Sequence, residues 1–189
     1  MDKTTFFSRF YCQTARHSEP DYPLRHSARQ AAVMMTLFGE DQLEMLFTVR
    51  ASHLRHHGGQ ISFPGGGREP ADSDLLATAL RECEEEIALP ASHITPVGQL
   101  SPYKTISGFE VTPFIGWTAQ LPALSADPSE VESIFSVPLA HLIDPANQHV
   151  HWVNRHGRDF PIYFIPWTDK LIWGATAAFI RNLSHVLRV

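Results

Sequence analysis

Between Gly65 and Leu89 the chain reads GGGREPADSDLLATALRECEEEIAL, a glycine run feeding a segment that ends in a block of acids. At about 3.6 residues per turn, Glu82, Glu85 and Glu86 fall at i, i+3 and i+4, so a helix here gathers three carboxylates on one face. Leu76, Ala79, Leu80, Cys83 and Ile87 make a separate apolar stripe, roughly 120° round the same helix. Such a helix buries one side in a core and turns three negative charges outward beside it. Arg81 stands one turn before Glu85 and next to Glu82, within reach of either carboxylate. The pattern predicts a helix over about residues 73–88, with Pro90 forbidding easy continuation.

Like charges at this spacing each cost a helix about 0.2–0.5 kcal/mol, and no lysine ladder offsets them. A solvated polar face is the ordinary fate of a charge run. The run here follows glycines that let backbone approach a ligand without a Cβ in the way. Clustered carboxylate oxygens suit hard divalent cations, which neutralise phosphates and activate water.

Arg81-Glu82-Cys83-Glu84-Glu85-Glu86-Ile87-Ala88-Leu89, with Phe63-Pro64-Gly65-Gly66 before it, resembles the second half of the Nudix box and its glycine turn. Thr48 to Arg55 and Gly59 to Gly66 resemble the additional signature of the coenzyme A pyrophosphatase branch. Gly108 to Pro113 and Trp173 to Ala177 are similar to later segments of that branch, so the resemblance runs from about residue 28 to the C-terminus. Three positions depart from the pattern. Asp72 stands where the box has its first glutamate, with one extra residue before Arg81. Ala88 replaces the box glycine, which asks for a helix end without a left-handed residue. Arg50-Ala51 replaces the usual Arg-Ser.

The resemblance implies an α/β/α Nudix fold, a mixed sheet between helices. It also implies metal-dependent hydrolysis of the pyrophosphate bond of a nucleoside diphosphate derivative. Coenzyme A is the expected substrate, split to 3′,5′-ADP and 4′-phosphopantetheine. Glu82, Glu85 and Glu86 would bind Mg²⁺ or Mn²⁺, with Arg81 orienting them. Two other readings stand beside this one. A Nudix hydrolase for ADP-ribose, a nucleotide sugar or a dinucleoside polyphosphate shares the box but not the Arg50 to Gly66 signature. A non-catalytic nucleotide-sensing module could lose Arg81, Glu82, Glu85 and Glu86, yet all four are present.

The formal charge of −5 on 189 residues argues against a nucleic-acid binder. Any polyanion site must then be locally basic. The stretch from Arg50 through SHLRHHGG supplies that charge, in Arg50, Arg55, His53, His56 and His57. Arginine forks match phosphate oxygens, so Arg50 and Arg55 are substrate-binding candidates with Gly65 and Gly66, and His53 and His57 are weaker ones. Solvated surface histidines are the plain alternative, and a zinc site lacks partner cysteines. Glu130 is a weak candidate for a further carboxylate, against a helix-start or surface acid.

Cys12 and Cys83 are the two cysteines, too few for a disulfide framework. No apolar run suits a membrane span and the N-terminus does not read as a secretion signal, so a cytoplasmic bacterial enzyme is expected. Residues 1–189 read as one domain, with 1–28 an N-terminal helix (4–15) and a linker packed on it. Strands are expected at 31–38 and 43–50 as a hairpin, then at 61–63, 94–100, 109–118, 149–155 and 160–167. Between them, 101–108 reads as a loop bearing Tyr103 and Lys104, a candidate substrate wall. A last helix over 173–188 carries Trp173, Ala177, Ile180, Leu183 and Leu187 on one side. That stripe packs on the sheet or on a second copy, which leaves a homodimer open.

Overall fold

The computed structural model describes residues 1–12, 28–155 and 157–187. The linker expected over 16–28 lies outside the described residues apart from its last position.

Two ten-residue strands set the frame. β1 (Arg29–Phe38) and β7 (Phe109–Thr118) run parallel without a register break, from Arg29 opposite Phe109 to Phe38 opposite Thr118. β2 (Glu44–Arg50) returns antiparallel to β1 through the turn at Gly39, where φ is 95°. β3 (Ile61–Ser62), β4 (Gly65–Gly67), β5 (Thr95–Gln99), β6 (Tyr103–Lys104) and β8 (Val131–Pro138) complete the sheet. Its order is β3-β2-β1-β7-β5, with β4 on β1, β6 on β7 and β8 on β2. One parallel pair among antiparallel ones makes the sheet mixed, as expected.

The apolar run of β1, AAVMMTLF, follows from burial on both faces. Side chains alternate across a strand. Ala32 and Met34 therefore meet Ala79, Cys83 and Ile87 of α2 (Leu75–Ile87) in one core. Met35 and Leu37 face the other core, with Phe6 of α1 (Lys3–Cys12) and Ala177, Ile180 and Leu183 of α4 (Ala175–Leu187). Helices thus cover both faces of the sheet. A smaller antiparallel sheet, β9 (His149–Arg155), β10 (Arg158–Trp167) and β11 (Lys170–Trp173), follows α3 (Leu139–Ile143) and carries the chain into α4.

Several expectations change. Trp173 ends β11 rather than opening the last helix, and its ring stacks on Phe164. The α4 stripe is spent inside the chain: Ala177, Ile180, Leu183 and Leu187 are buried in the core shared with α1 and α3. The 101–108 loop contains β6, because Tyr103 and Lys104 pair with Val111 and Glu110. Ala88 is left-handed after all (φ 54°, ψ 35°), and its N–H reaches Glu84 O at 3.1 Å. The next residue explains it. Leu89 is fully buried against α2's core, and a left-handed step is what turns the chain to put it there.

Candidate active site

The acid face is built from the helix start upward. Asp74 caps α2 by accepting from Ala77 N–H at 2.8 Å. Asp72, in the junction before the helix, is buried. It accepts from Glu69 N–H and Thr78 Oγ1 at 2.8 Å each, and from Arg81 Nε at 3.0 Å and Nη2 at 3.2 Å. The Arg81 guanidinium, followed by the Glu69 N–H, holds the Asp72 carboxyl well below the usual carboxylate range. Asp72 in turn pushes Arg81 further up. Arg81 then reaches Glu85 Oε2 at 2.6 Å, Glu82 Oε1 at 3.1 Å and Gly67 O at 3.3 Å. One guanidinium therefore ties the glycine strand, the junction and two of the three glutamates together. Asp72 is absent from the site residues read from the sequence, although its place in the box marked it.

The three glutamates differ in burial. Side-chain exposure is 56% for Glu85, 13% for Glu82 and 2% for Glu86. Glu86 lies toward β2, where Arg50 Nη1 stands 3.7 Å from its Oε1, while its Oε2 has no hydrogen-bond partner. Burial pushes the Glu86 carboxyl up to about 8, with Arg50 opposing and the charges of Glu82 and Glu130 adding to the rise. Burial also raises Glu82, against the pull of Arg81. A Cβ at Gly65 would strike the backbone of Ala32 and Val33, and one at Gly66 would strike the Glu82 carboxylate. These two glycines let the chain pass between β1 and the glutamates.

A cavity of about 470 Å³ opens beside β4. Its lining includes the basic side chains of Arg50, His56, His57 and Lys104, the glycines, and the larger apolar and aromatic side chains of Tyr103, Ile106, Phe160, Tyr163 and Trp173. Both sheets therefore contribute to its wall, the first with Arg50, Lys104 and the glycines, the small one with Phe160, Tyr163 and Trp173. Of the sequence candidates, Arg50, His57, Gly65 and Gly66 reach this cavity. Arg55 and His53 are exposed and do not line it. His57 is engaged, its Nδ1 2.8 Å from Gln60 Oε1. Glu130 is an exposed acid leading into β8, not a helix start, and its C=O accepts from Ala51 N–H at 2.8 Å. Its charge is nonetheless felt by Glu82 and Glu86.

The model of the NUDIX domain matches residues 28–156. An uncharacterized Nudix hydrolase, NudL, of Yersinia pestis (strain Pestoides F) is 37% identical over 191 residues, covering 97% of this chain and 94% of the relative. The chain belongs to the Nudix family. A NudL of Yersinia pseudotuberculosis (serotype O:1b, strain IP 31758) matches with the same identity and coverage. Among solved structures, the Nudix hydrolase RenU of M. smegmatis superposes with a TM-score of 0.52 at 17% identity, covering 68% of this chain and 82% of its own. A C. elegans Ap4A hydrolase gives 0.50 at 17% identity, over 61% and 83%. At such identities these superpositions speak to the Nudix fold.

Nudix hydrolases use divalent metals such as Mg²⁺ or Mn²⁺. The Nudix helix of this chain fits such an ion in chemistry. It offers hard carboxylate oxygens, a buried Glu86 Oε2 without a partner, and a glycine strand against Glu82. As the side chains stand, no three acidic, His or Cys groups among the described residues converge closely enough to hold one, and Glu85 is engaged by Arg81.

Proposed function

We propose that this Nudix hydrolase cleaves the pyrophosphate bond of coenzyme A, releasing 3′,5′-ADP and 4′-phosphopantetheine. The observation that carries the reading is the junction of two environments at β4. Carboxylates and Arg50 meet there, and a largely apolar cavity begins there. A pyrophosphate with a bulky arm matches that junction. The resemblance of Thr48 to Arg55 and Gly59 to Gly66 to the coenzyme A branch supports the choice of substrate.

Glu82, Glu85 and Glu86 would hold Mg²⁺ or Mn²⁺, which supplies charge neutralisation of the pyrophosphate and a more acidic water. Arg81 orients Glu82 and Glu85 and is itself fixed by Asp72. Arg50 offers its fork to phosphate oxygens, and Gly65 and Gly66 admit them close to the backbone. A glutamate of this face takes the proton of the attacking water. His57 and the cavity wall receive part of the substrate beyond the phosphates, while the exposed Arg55, His53 and Glu130 act on its long-range charge.

Mass-spectrometric product analysis tests this. The pure protein is incubated with Mg²⁺ or Mn²⁺ and, separately, coenzyme A, ADP-ribose and a dinucleoside polyphosphate. Coenzyme A should yield 3′,5′-ADP and 4′-phosphopantetheine, and Glu82→Gln or Glu85→Gln should abolish turnover with the fold retained. Cleavage of only another substrate would overturn the choice of coenzyme A. Ligand binding without any cleavage would point to a sensor.

A further inference from the structure

Arg81 is saturated: its three nitrogens serve Asp72, Glu82, Glu85 and Gly67 O. Arg50 is the cation facing Glu86, and its position differs in kind. At 3.7 Å from Glu86 Oε1 it makes a charge contact, longer than a hydrogen bond. Both of its backbone polar groups are pinned to one neighbouring segment, N–H to Gln60 O at 2.9 Å and C=O from Gly59 N–H at 3.0 Å. Its side chain is 25% exposed and lines the cavity along Gly65 to Gly67. Arg50 thus has a fixed stem and a loosely held head, placed between a buried carboxylate and the place where phosphates would enter.

We propose that Arg50 is a shared counter-ion: Glu86 keeps it while no metal is bound, and a divalent cation at Glu86 releases it to the substrate's phosphate. The inference rests on the reading of Glu86 as an ion ligand. A cation beside Glu86 supplies the charge that Arg50 supplied and repels the guanidinium, whose open direction is the cavity. A phosphate arriving in the cavity draws Arg50 the same way and leaves Glu86 needing a cation. Each ligand therefore strengthens the other through one side chain, by the same factor in both directions.

The test uses calorimetric titration of Mg²⁺ or Mn²⁺ into the full chain at pH 8.5, where Glu86 is mainly ionised, with and without imidodiphosphate, an uncleavable pyrophosphate mimic. In Arg50→Met, metal affinity without the mimic should rise about tenfold, and the gain the mimic brings should shrink by a similar factor. Arg50→Lys should stay closer to wild type. A lost arginine with a merely structural role would not tighten metal binding. Because Arg50→Met strands a buried carboxylate, a second pair avoids that charge. Metal-free Glu86→Gln should bind imidodiphosphate more tightly than wild type, and adding Arg50→Met should remove the gain. Unchanged metal affinity in Arg50→Met, or tight mimic binding in the double variant, overturns the proposal. Metal binding that survives in Glu82→Gln/Glu86→Gln would instead overturn the ion-ligand reading beneath it.

Discussion

With 2% of its side chain exposed and one oxygen unpartnered, Glu86 keeps a proton in the folded chain where the unfolded chain has released it. Its carboxyl moves from 4.5 to about 8 on folding. Between those values the native state binds more protons, so stability falls as pH rises. Asp72 works in the opposite sense and elsewhere: its lowered carboxyl contributes stability that is lost only under strong acid. In metal-free protein, urea unfolding from pH 5 to 8.5 should therefore show a loss on the order of a few kcal/mol. Glu86→Gln should flatten that slope. An equally steep slope in the variant would mean that Glu86 is not the group responsible.

At the scale of elements, the end of α2 holds an alanine in a conformation that costs an L-residue about 1–2 kcal/mol. Ala88→Gly relieves that cost but gives back about 0.4–1 kcal/mol of unfolded-state entropy. The net is a stabilisation of about 0.5–1 kcal/mol, read as a Tm rise of about 2 °C. A lower Tm would refute the strain account. The expected helix end without a left-handed residue followed a residue preference; the burial of Leu89 overrides it. The same division runs through the fold. The α2 stripe and the apolar run of β1 were legible because each is a local periodicity that burial enforces. The box motif likewise marked Arg81 and its glutamates. The burial of Glu86, the Asp72 anchor, β6 and the strand at Trp173 depend on what lies across from them, and no local period carries that. Arg55 and His53 stand out in the sequence by charge alone, and they do not line the cavity.

Taken whole, the molecule divides its labour between two sheets. The carboxylates ride on a helix packed against the main sheet, while much of the cavity wall comes from the small β9–β11 sheet and the β6 loop. If the cavity receives substrate, damage to its wall should weaken binding and leave bond cleavage nearly intact. Ile106 suits the test because it lines the cavity yet is 55% exposed, so a polar group there costs about 0.5 kcal/mol of stability or less. Ile106→Asp also sets a negative charge where an anionic substrate must pass. Steady-state kinetics on coenzyme A should show KM raised about tenfold with kcat within about twofold, the pattern of lost uniform binding. A fall in kcat at unchanged KM would place Ile106 in the chemical step and overturn its reading as a wall residue. Wild-type kinetics would mean that the substrate arm lies elsewhere, and that the apolar wall serves the fold rather than the reaction.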